Sequence, residues 1–120
     1  MSVERTYGRL TVTVDHGDGR VRVFAIGEVD MATADVLAGS LDRALEGGLP
    51  VVVDLSGVTF LDCAGIRTLI QGGTRALGNG QALTVANASP IVRRVLEICG
   101  VWAWLAGQLT DRPVQERLTP

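Results

Sequence analysis

The stretch that decides the fold is PVVVDLSGVTFLDCAGIRTLIQGGTRAL, residues 50–77. Its three consecutive valines, Val51–Val53, predict a strand that is buried on both faces, as in parallel sheets. Residues 54–62 are expected to leave the sheet, and Asp62 has the short carboxylate typical of a helix N-cap. The residues predicted to form the buried face of the helix that follows are Ile66, Leu69, Ile70, Gly73 and Leu77. A strand that runs into a capped helix places the sequence DCAG, residues 62–65, at the carboxyl edge of the sheet, where open α/β sheets carry functional groups.

The chain before this stretch predicts an antiparallel hairpin and then a helix. Leu10–Asp15 alternates apolar and polar residues, and a glycine-containing turn connects it to a second strand, Arg20–Ile26. The sequence GEVD, Gly27–Asp30, is expected to end that strand, with Asp30 as the N-cap of a helix. The apolar face of this helix consists of Ala34, Leu37, Leu41, Ala44 and Leu45, and two glycines at positions 47 and 48 stop it. Strand, helix and strand in this order imply a right-handed parallel crossover.

The chain after this stretch predicts a short strand, Ala82–Ala86, and a third helix. Ser89 is the expected N-cap with Pro90 at the first helical position, and Gly100 is the expected stop. The residues predicted near one face of this helix are Ile91, Val95 and Ile98. A short edge strand is expected at Trp104–Leu109, followed by a terminal helix.

These elements predict an α/β fold with the order ββαβαβα plus a tail: a mixed, mostly parallel sheet with an antiparallel N-terminal hairpin, covered by helices. At 120 residues the chain is expected to be one domain, residues 1–120, with a core over about 8–110 and a polar tail at 111–120. The 11 basic and 13 acidic residues give a formal charge of -2, which does not favour nucleic acid or an anionic membrane as a partner. The sequence shows no signal peptide and no apolar run long enough for a membrane span, so we expect a cytoplasmic protein.

Catalytic sites find little support in the sequence. A phosphate-binding P-loop needs a lysine, and the chain has none; its glycine-rich segment, Gly72–Gly80, is better explained by close helix packing followed by a turn. A Cys/His hydrolase would need a histidine near its nucleophile, yet the only histidine, His16, lies in the first hairpin turn. We therefore expect no enzyme activity and no cofactor.

Metal and disulfide sites are also not expected. The two cysteines, Cys63 and Cys99, are far apart and match no metal-ligand spacing, so both are predicted to be free thiols. Asp30 and Asp62 could approach each other at one sheet edge, but the interpretation as two helix caps is preferred over a metal site.

Three segments together resemble a STAS domain, the fold shared by bacterial anti-sigma factor antagonists and the tails of sulphate transporters. They are GEVDMATADVL (residues 27–37), VVVDLSGVTFLDCAGIRTLI (51–70) and ASPIVRRVLEICGV (88–101). The resemblance implies a protein that binds an anti-sigma factor of the serine-kinase or ATPase type, releases a sigma factor and so regulates transcription. It also implies a phosphoacceptor serine directly after the aspartate of the second segment.

This sequence departs from that pattern at the acceptor position. Cys63 stands where the serine is expected and Ala64 follows, so neither offers a hydroxyl. We therefore expect no phosphorylation switch at residue 63, and either a surface that is always competent to bind or a redox-sensitive Cys63. The residues expected to contact the partner are Asp30, Thr33, Asp62, Cys63, Ala64, Gly65, Ile66 and Arg67. The alternatives are a STAS subunit of an ABC-type lipid transport complex, or a nucleotide-binding or redox-sensing STAS module; a monomer or weak homodimer is expected in each case.

Overall fold

A five-stranded sheet with helices packed on one face makes up residues 2–107, the part of the chain that the computed structural model describes. The elements are β1 (Ser2–Tyr7), β2 (Leu10–Gly17), β3 (Arg20–Val29), α1 (Ala34–Leu45), β4 (Val51–Leu61), α2 (Cys63–Gly78), β5 (Leu83–Ala88), α3 (Pro90–Ile98) and α4 (Trp102–Leu105). The strands lie in the order β1-β2-β3-β4-β5. The first three are antiparallel, and β4 and β5 each run parallel to the strand before them. The predicted α/β class, mixed sheet and β2–β3 hairpin are confirmed.

One face of the sheet and all four described helices share a single apolar core. Val51 and Val53 point into it, whereas Val52 is only half-buried on the other face of the sheet. The prediction that this strand is covered on both faces is therefore wrong, because the helices that supply the core lie on one side. The predicted buried face of α1 is confirmed in full.

The strand β1 was not predicted. All six of its residues are exposed and its sequence, SVERTY, lacks the alternation that marks a half-buried strand. Its position is set by backbone pairing with β2, from Ser2 opposite Asp15 to Tyr7 opposite Leu10. Gly8 at the turn has φ of 58°, which glycine adopts without strain.

The strands β3 and β4 are both longer than predicted. Residues 27–29 continue β3 instead of ending it, and β4 continues through residues 54–61, which were expected to leave the sheet. The pairing of the two strands shifts register between Phe24 and Ile26 and again between Gly27 and Glu28. These β-bulges re-aim side chains without ending the ladder, and a strict period-2 pattern does not reveal them.

The buried faces of α2 and α3 are rotated from the predicted ones. In α2 the buried residues include Gly65, Gly72 and Gly73, while Ile66 and Ile70 are half-buried and Leu77 is exposed. A Cβ on Gly73 would lie 2.7 Å from the Trp104 ring, which confirms the predicted close helix packing. Leu69 and Gly73 of the predicted face are buried, but Gly65 and Gly72 carry no apolar side chain, so the apolar periodicity did not reveal the part of the face that they form.

The helix α3 buries only Val92 and Leu96. Ile91 and Ile98, predicted near one face, are 61% and 70% exposed. Ser89 precedes the helix and Pro90 begins it as predicted, but the Ser89 hydroxyl accepts no hydrogen bond from the helix N–H groups and instead donates to the carbonyl of Val58 (2.7 Å).

The segment after α3 turns at Gly100, the predicted stop, whose φ is 76°. Trp104 and Leu105 belong to the short helix α4, so the expected edge strand is wrong there. The remainder of that strand, the terminal helix and the polar tail lie outside the described residues.

Asp54 lies on the open face of the sheet, where β4 and β5 shift register between Val53 and Asp54. Its carboxylate accepts hydrogen bonds from the Ser56 hydroxyl (2.6 Å), the Ser56 backbone N–H (2.9 Å) and the Asn87 side-chain amide (3.0 Å). Partial burial raises the pKa of Asp54, but these bonds to the charged form outweigh it, so the pKa lies below its ordinary value.

Replacing Asp54 with asparagine is expected to lower the free energy of unfolding at neutral pH and to matter less in acid. Because the pKa of the folded state is the lower one, the stabilisation is complete above the unfolded pKa, about 3.9, and disappears as the pH falls through the folded pKa. Urea unfolding at neutral pH and well below the unfolded pKa measures this. Glu46→Gln, at an exposed carboxylate, is the control; an Asp54→Asn effect equal at both pH values would contradict the expectation.

Candidate functional site

The turn DCAG joins β4 to α2 and is organised by Asp62. One carboxylate oxygen, Oδ1, accepts hydrogen bonds from the backbone N–H groups of Ala64 (2.9 Å) and Gly65 (3.2 Å). The predicted N-cap is confirmed. The backbone N–H of Asp62 donates to the carbonyl of Val29 (3.1 Å), which ties the start of α2 to the end of β3.

The turn after GEVD is organised differently from the prediction. The helix α1 begins at Ala34 with Thr33 at its N-cap position, so Asp30 is not the cap. Asp30 Oδ1 instead accepts from the N–H groups of Ala32 (2.9 Å) and Thr33 (3.1 Å), which closes a turn ahead of the helix. A carboxylate four residues before the first residue of a helix can hold a preceding turn as readily as it can cap a helix, and sequence does not distinguish the two.

Thr33 holds this turn from inside. Its hydroxyl donates to the carbonyl of Glu28 (2.9 Å) and accepts from the N–H of Asp30 (3.0 Å). The residue is only 3% exposed. Its side chain therefore shapes the surface and does not itself present a group to solvent.

One hydrogen bond connects the two turns. The second carboxylate oxygen of Asp62, Oδ2, accepts from the backbone N–H of Met31 (3.2 Å). Both oxygens of Asp62 are thus engaged, one in capping α2 and the other in fixing the turn of Asp30. The structure brings Asp30 and Asp62 to the same sheet edge, as the sequence suggested, through a backbone group that the sequence did not indicate.

The residues predicted to contact a partner divide into two groups. Thr33 and Gly65 are buried, and a Cβ on Gly65 would overlap the Leu61 side chain. The others form a continuous surface that, with Met31, we call the edge surface: Asp30, Met31, Asp62, Cys63, Ala64, Ile66 and Arg67. Cys63 and Arg67 are exposed, and Met31 is 83% exposed. An isolated methionine in a turn carries no pattern, which is why sequence reasoning missed Met31.

Apolar side chains extend this surface beyond the predicted residues. Cys63, Ile66, Arg67, Ile70 and Cys99 line an open hollow of about 350 Å³. A second hollow of about 120 Å³ lies beside Phe60, Ile91 and Val95. Phe60 and Ile91 are about half exposed, 49% and 61%. The apolar periodicity of α3 could have indicated these exposed side chains, but it was interpreted as the face that the helix buries.

No cluster of three or more His, Cys, Asp or Glu side chains suited to a metal ion occurs within residues 2–107. Cys63 is an exposed free thiol and Cys99 a half-buried one. None of the described helices has the length and apolar character required to cross a bilayer. The arrangement is suited to recognising another surface, since polar turns, apolar side chains and Arg67, which has no ion pair within residues 2–107, lie together.

A family model described as "Mlab, STAS domain" matches residues 12–107. The chain belongs to the STAS domain family. The match begins within β2 and ends just after α4, so it includes both turns that carry the edge surface. The DCAG turn of this STAS domain lies between the strand and the helix that the sequence resemblance identified.

Relatives of this STAS domain have names that refer to sigma-factor regulation. It is 29% identical to the anti-sigma-F factor antagonist RsfA of Mycobacterium tuberculosis over 76% of this chain and 73% of that one. The crystal structure of an anti-sigma factor antagonist from Mycobacterium paratuberculosis is 31% identical, with a TM-score of 0.69 over 77% of this chain and 79% of that one. The anti-sigma factor antagonist SpoIIAA in its unphosphorylated form is 20% identical, with a TM-score of 0.63 over 89% and 92% of the two chains, and supports the fold alone.

Proposed function

We propose that this STAS domain is an anti-sigma factor antagonist that binds a kinase-type anti-sigma factor through the edge surface and so releases a sigma factor. The observation that carries the proposal is the hydrogen bond from the Met31 N–H to Asp62 Oδ2, which fixes the GEVD and DCAG turns as one surface. The names of the relatives supply the class of partner. The domain acts by binding and carries out no chemistry of its own.

Three features support binding at this surface. Arg67 is exposed and has neither an ion pair nor a hydrogen bond with another described side chain, so it is available to an acidic partner residue. Met31 and Ile66 supply apolar contact area on either side of the polar turns. The turns themselves are rigidly held, which lowers the entropy cost of association.

Cys63 is an exposed residue in the first turn of α2, and its side chain carries a thiol where a phosphorylation switch would need a hydroxyl. The surface of the unmodified protein is therefore competent to bind at all times. Control then resides in the amount of protein or in the partner. A phosphorylated side chain at this position would place about two negative charges next to Asp62.

The experiment is capture of a tagged protein's partner, its identification, and calorimetry with the purified pair. Asp62→Asn is the informative variant, because asparagine caps helices nearly as well as aspartate but presents an NH₂ group to the Met31 N–H. We expect the variant to remain folded, with about 1 kcal/mol less stability, and to bind about tenfold more weakly. Asp35→Asn, an exposed carboxylate in the first turn of α1, is the matched control.

Recovery of an ABC ATPase in place of an anti-sigma factor would support the second candidate, a STAS subunit of a lipid transport complex. The description of the matching family model names no anti-sigma factor, which keeps this candidate open. Binding of an anti-sigma factor that Asp62→Asn leaves unchanged would contradict the assignment of the edge surface.

A further inference from the structure

An apolar groove runs along α3, facing the end of β4 at one hollow and α2 at the other, next to the edge surface. We define the α2–α3 groove by the residues that line its two hollows: Phe60, Cys63, Ile66, Ile70, Val95 and Cys99. Val95 lines one hollow and Cys99, the C-cap residue of α3 four positions later, lines the other, so the hollows lie beside successive turns of the helix. The groove thus offers two successive apolar sites.

The outer wall of the groove is a stripe on α3. Ile91, Arg94 and Ile98 recur at helical spacing and are exposed, whereas Val92 and Leu96 face the core. Isoleucines that are 61% and 70% exposed on one flank of a nine-residue helix form an apolar patch rather than single surface residues. Such a stripe is typical of a surface that is covered in a complex.

The charge at the groove is positive although the chain as a whole is at -2. Arg67 lines one hollow, and Arg94 lies between the two exposed isoleucines of α3. Neither has an ion pair or hydrogen bond with a side chain in the part of the chain that the structure describes, whereas Arg75 pairs with Asp42 and Arg93 with Glu97. The carboxylate of Asp62, at the start of α2, already uses both oxygens within the turns.

We propose that the α2–α3 groove binds an amphipathic helix of the anti-sigma factor, with aliphatic side chains one turn apart and acidic residues on its flanks. The two hollows match the i and i+4 positions of such a helix. Arg67 and Arg94 match its acidic flanks. The groove is continuous with the edge surface through Cys63, Ile66 and Arg67, so this inference rests on the proposed function and extends the interface along α3.

The first test uses synthetic helical peptides and the full chain. One peptide carries leucines at i and i+4 with glutamate flanks, and the control replaces the glutamates by lysines. Because Cys63 and Cys99 are the chain's two cysteines and both line the groove, their alkylation rates report its occupancy. We expect the acidic peptide to slow alkylation of both thiols at least fivefold and the basic peptide to leave it unchanged. Equal protection by both peptides, or protection by neither, would overturn the proposal.

The second test uses the anti-sigma factor itself. Ile98→Asp and Arg94→Glu are expected to weaken its binding about tenfold or more. The controls are Ile26→Asp, an isoleucine exposed on the open face of the sheet, and Arg43→Glu at the end of α1, both expected to bind within about twofold of the wild type. If the wild type binds the anti-sigma factor and both groove variants bind it equally tightly, this inference is overturned and the proposed function remains intact. If the wild type does not bind the anti-sigma factor, the proposed function is contradicted. The peptide experiment would then still test whether the groove binds an acidic amphipathic helix.

A second copy of this chain is the alternative occupant. Sedimentation of the wild type and of Ile98→Asp distinguishes it, since a monomeric wild type supports a foreign partner. A dimer that Ile98→Asp dissociates would overturn the proposal.

Discussion

Replacing Gly27 with alanine is expected to lower the free energy of unfolding by about 3 to 5 kcal/mol. Gly27 has φ of 114°, a conformation that an L side chain rarely adopts. A Cβ there would also overlap the carbonyl oxygen of Arg9, the residue directly before β2. That carbonyl accepts a hydrogen bond from the N–H of Glu28 (3.0 Å). It therefore cannot move away from Gly27 without breaking this hydrogen bond, which lies at the β-bulge between Gly27 and Glu28. Two independent penalties therefore fall on one added methyl group.

Urea unfolding of purified protein measures the effect, with Gly78→Ala as the matched control. Gly78 is the last residue of α2 and has open space where its Cβ would lie. Alanine there is expected to leave stability unchanged or raise it by up to about 1 kcal/mol. If Gly27→Ala cost no more than about 1 kcal/mol, the bulge would have to relax in a way that the structure does not show. The glycine of GEVD is thus expected to be required by the β3 bulge that carries the turn of Asp30 to the sheet edge.

Replacing Cys63 with serine is expected to let the kinase-type anti-sigma factor that we propose as the partner phosphorylate this turn to completion, whereas the wild type is expected to take up no phosphate there. The substitution exchanges sulfur for oxygen at an exposed residue in the first turn of α2 and leaves the Asp62 cap in place. The helix N-terminus favours an anion there through its N–H groups and dipole. The added charge of about -2 would lie beside the Asp62 carboxylate and would lower affinity for the partner by at least about tenfold.

Mass spectrometry after incubation with the partner and ATP measures phosphate on the wild type, on Cys63→Ser and on Cys63→Ala. Cys63→Ala also lacks the thiol but gains no hydroxyl, so it must remain unmodified. Stoichiometric phosphate on the wild type between Asp62 and Gly65 would contradict the interpretation that this turn carries no phosphorylation switch. Peroxide treatment provides the complementary comparison, since a loss of partner binding in the wild type that Cys63→Ala does not show would support redox control.

The sequence predicted most of the elements and the approach of Asp30 and Asp62 at one edge of the sheet. The Asp62 cap, and Ser89, Pro90 and Gly100 at the ends of α3, follow from local rules that depend on a few neighbouring residues. The same rules failed where pairing or packing is non-local. The strand β1 exists because β2 offers it an edge, and β4 continues to Leu61 because bulges preserve its ladder with β3.

The sequence by itself determined the α/β class, the DCAG and GEVD segments and the absence of a hydroxyl at residues 63 and 64, because each depends on residue identity or short-range periodicity. Only the tertiary structure decided which flank of α3 faces water, how Asp62 divides its two oxygens between α2 and Met31, and that Cys63 and Cys99 line one groove. The physical reason is that apolar periodicity shows that a helix has an apolar side, but the neighbouring elements determine which apolar side chains they cover.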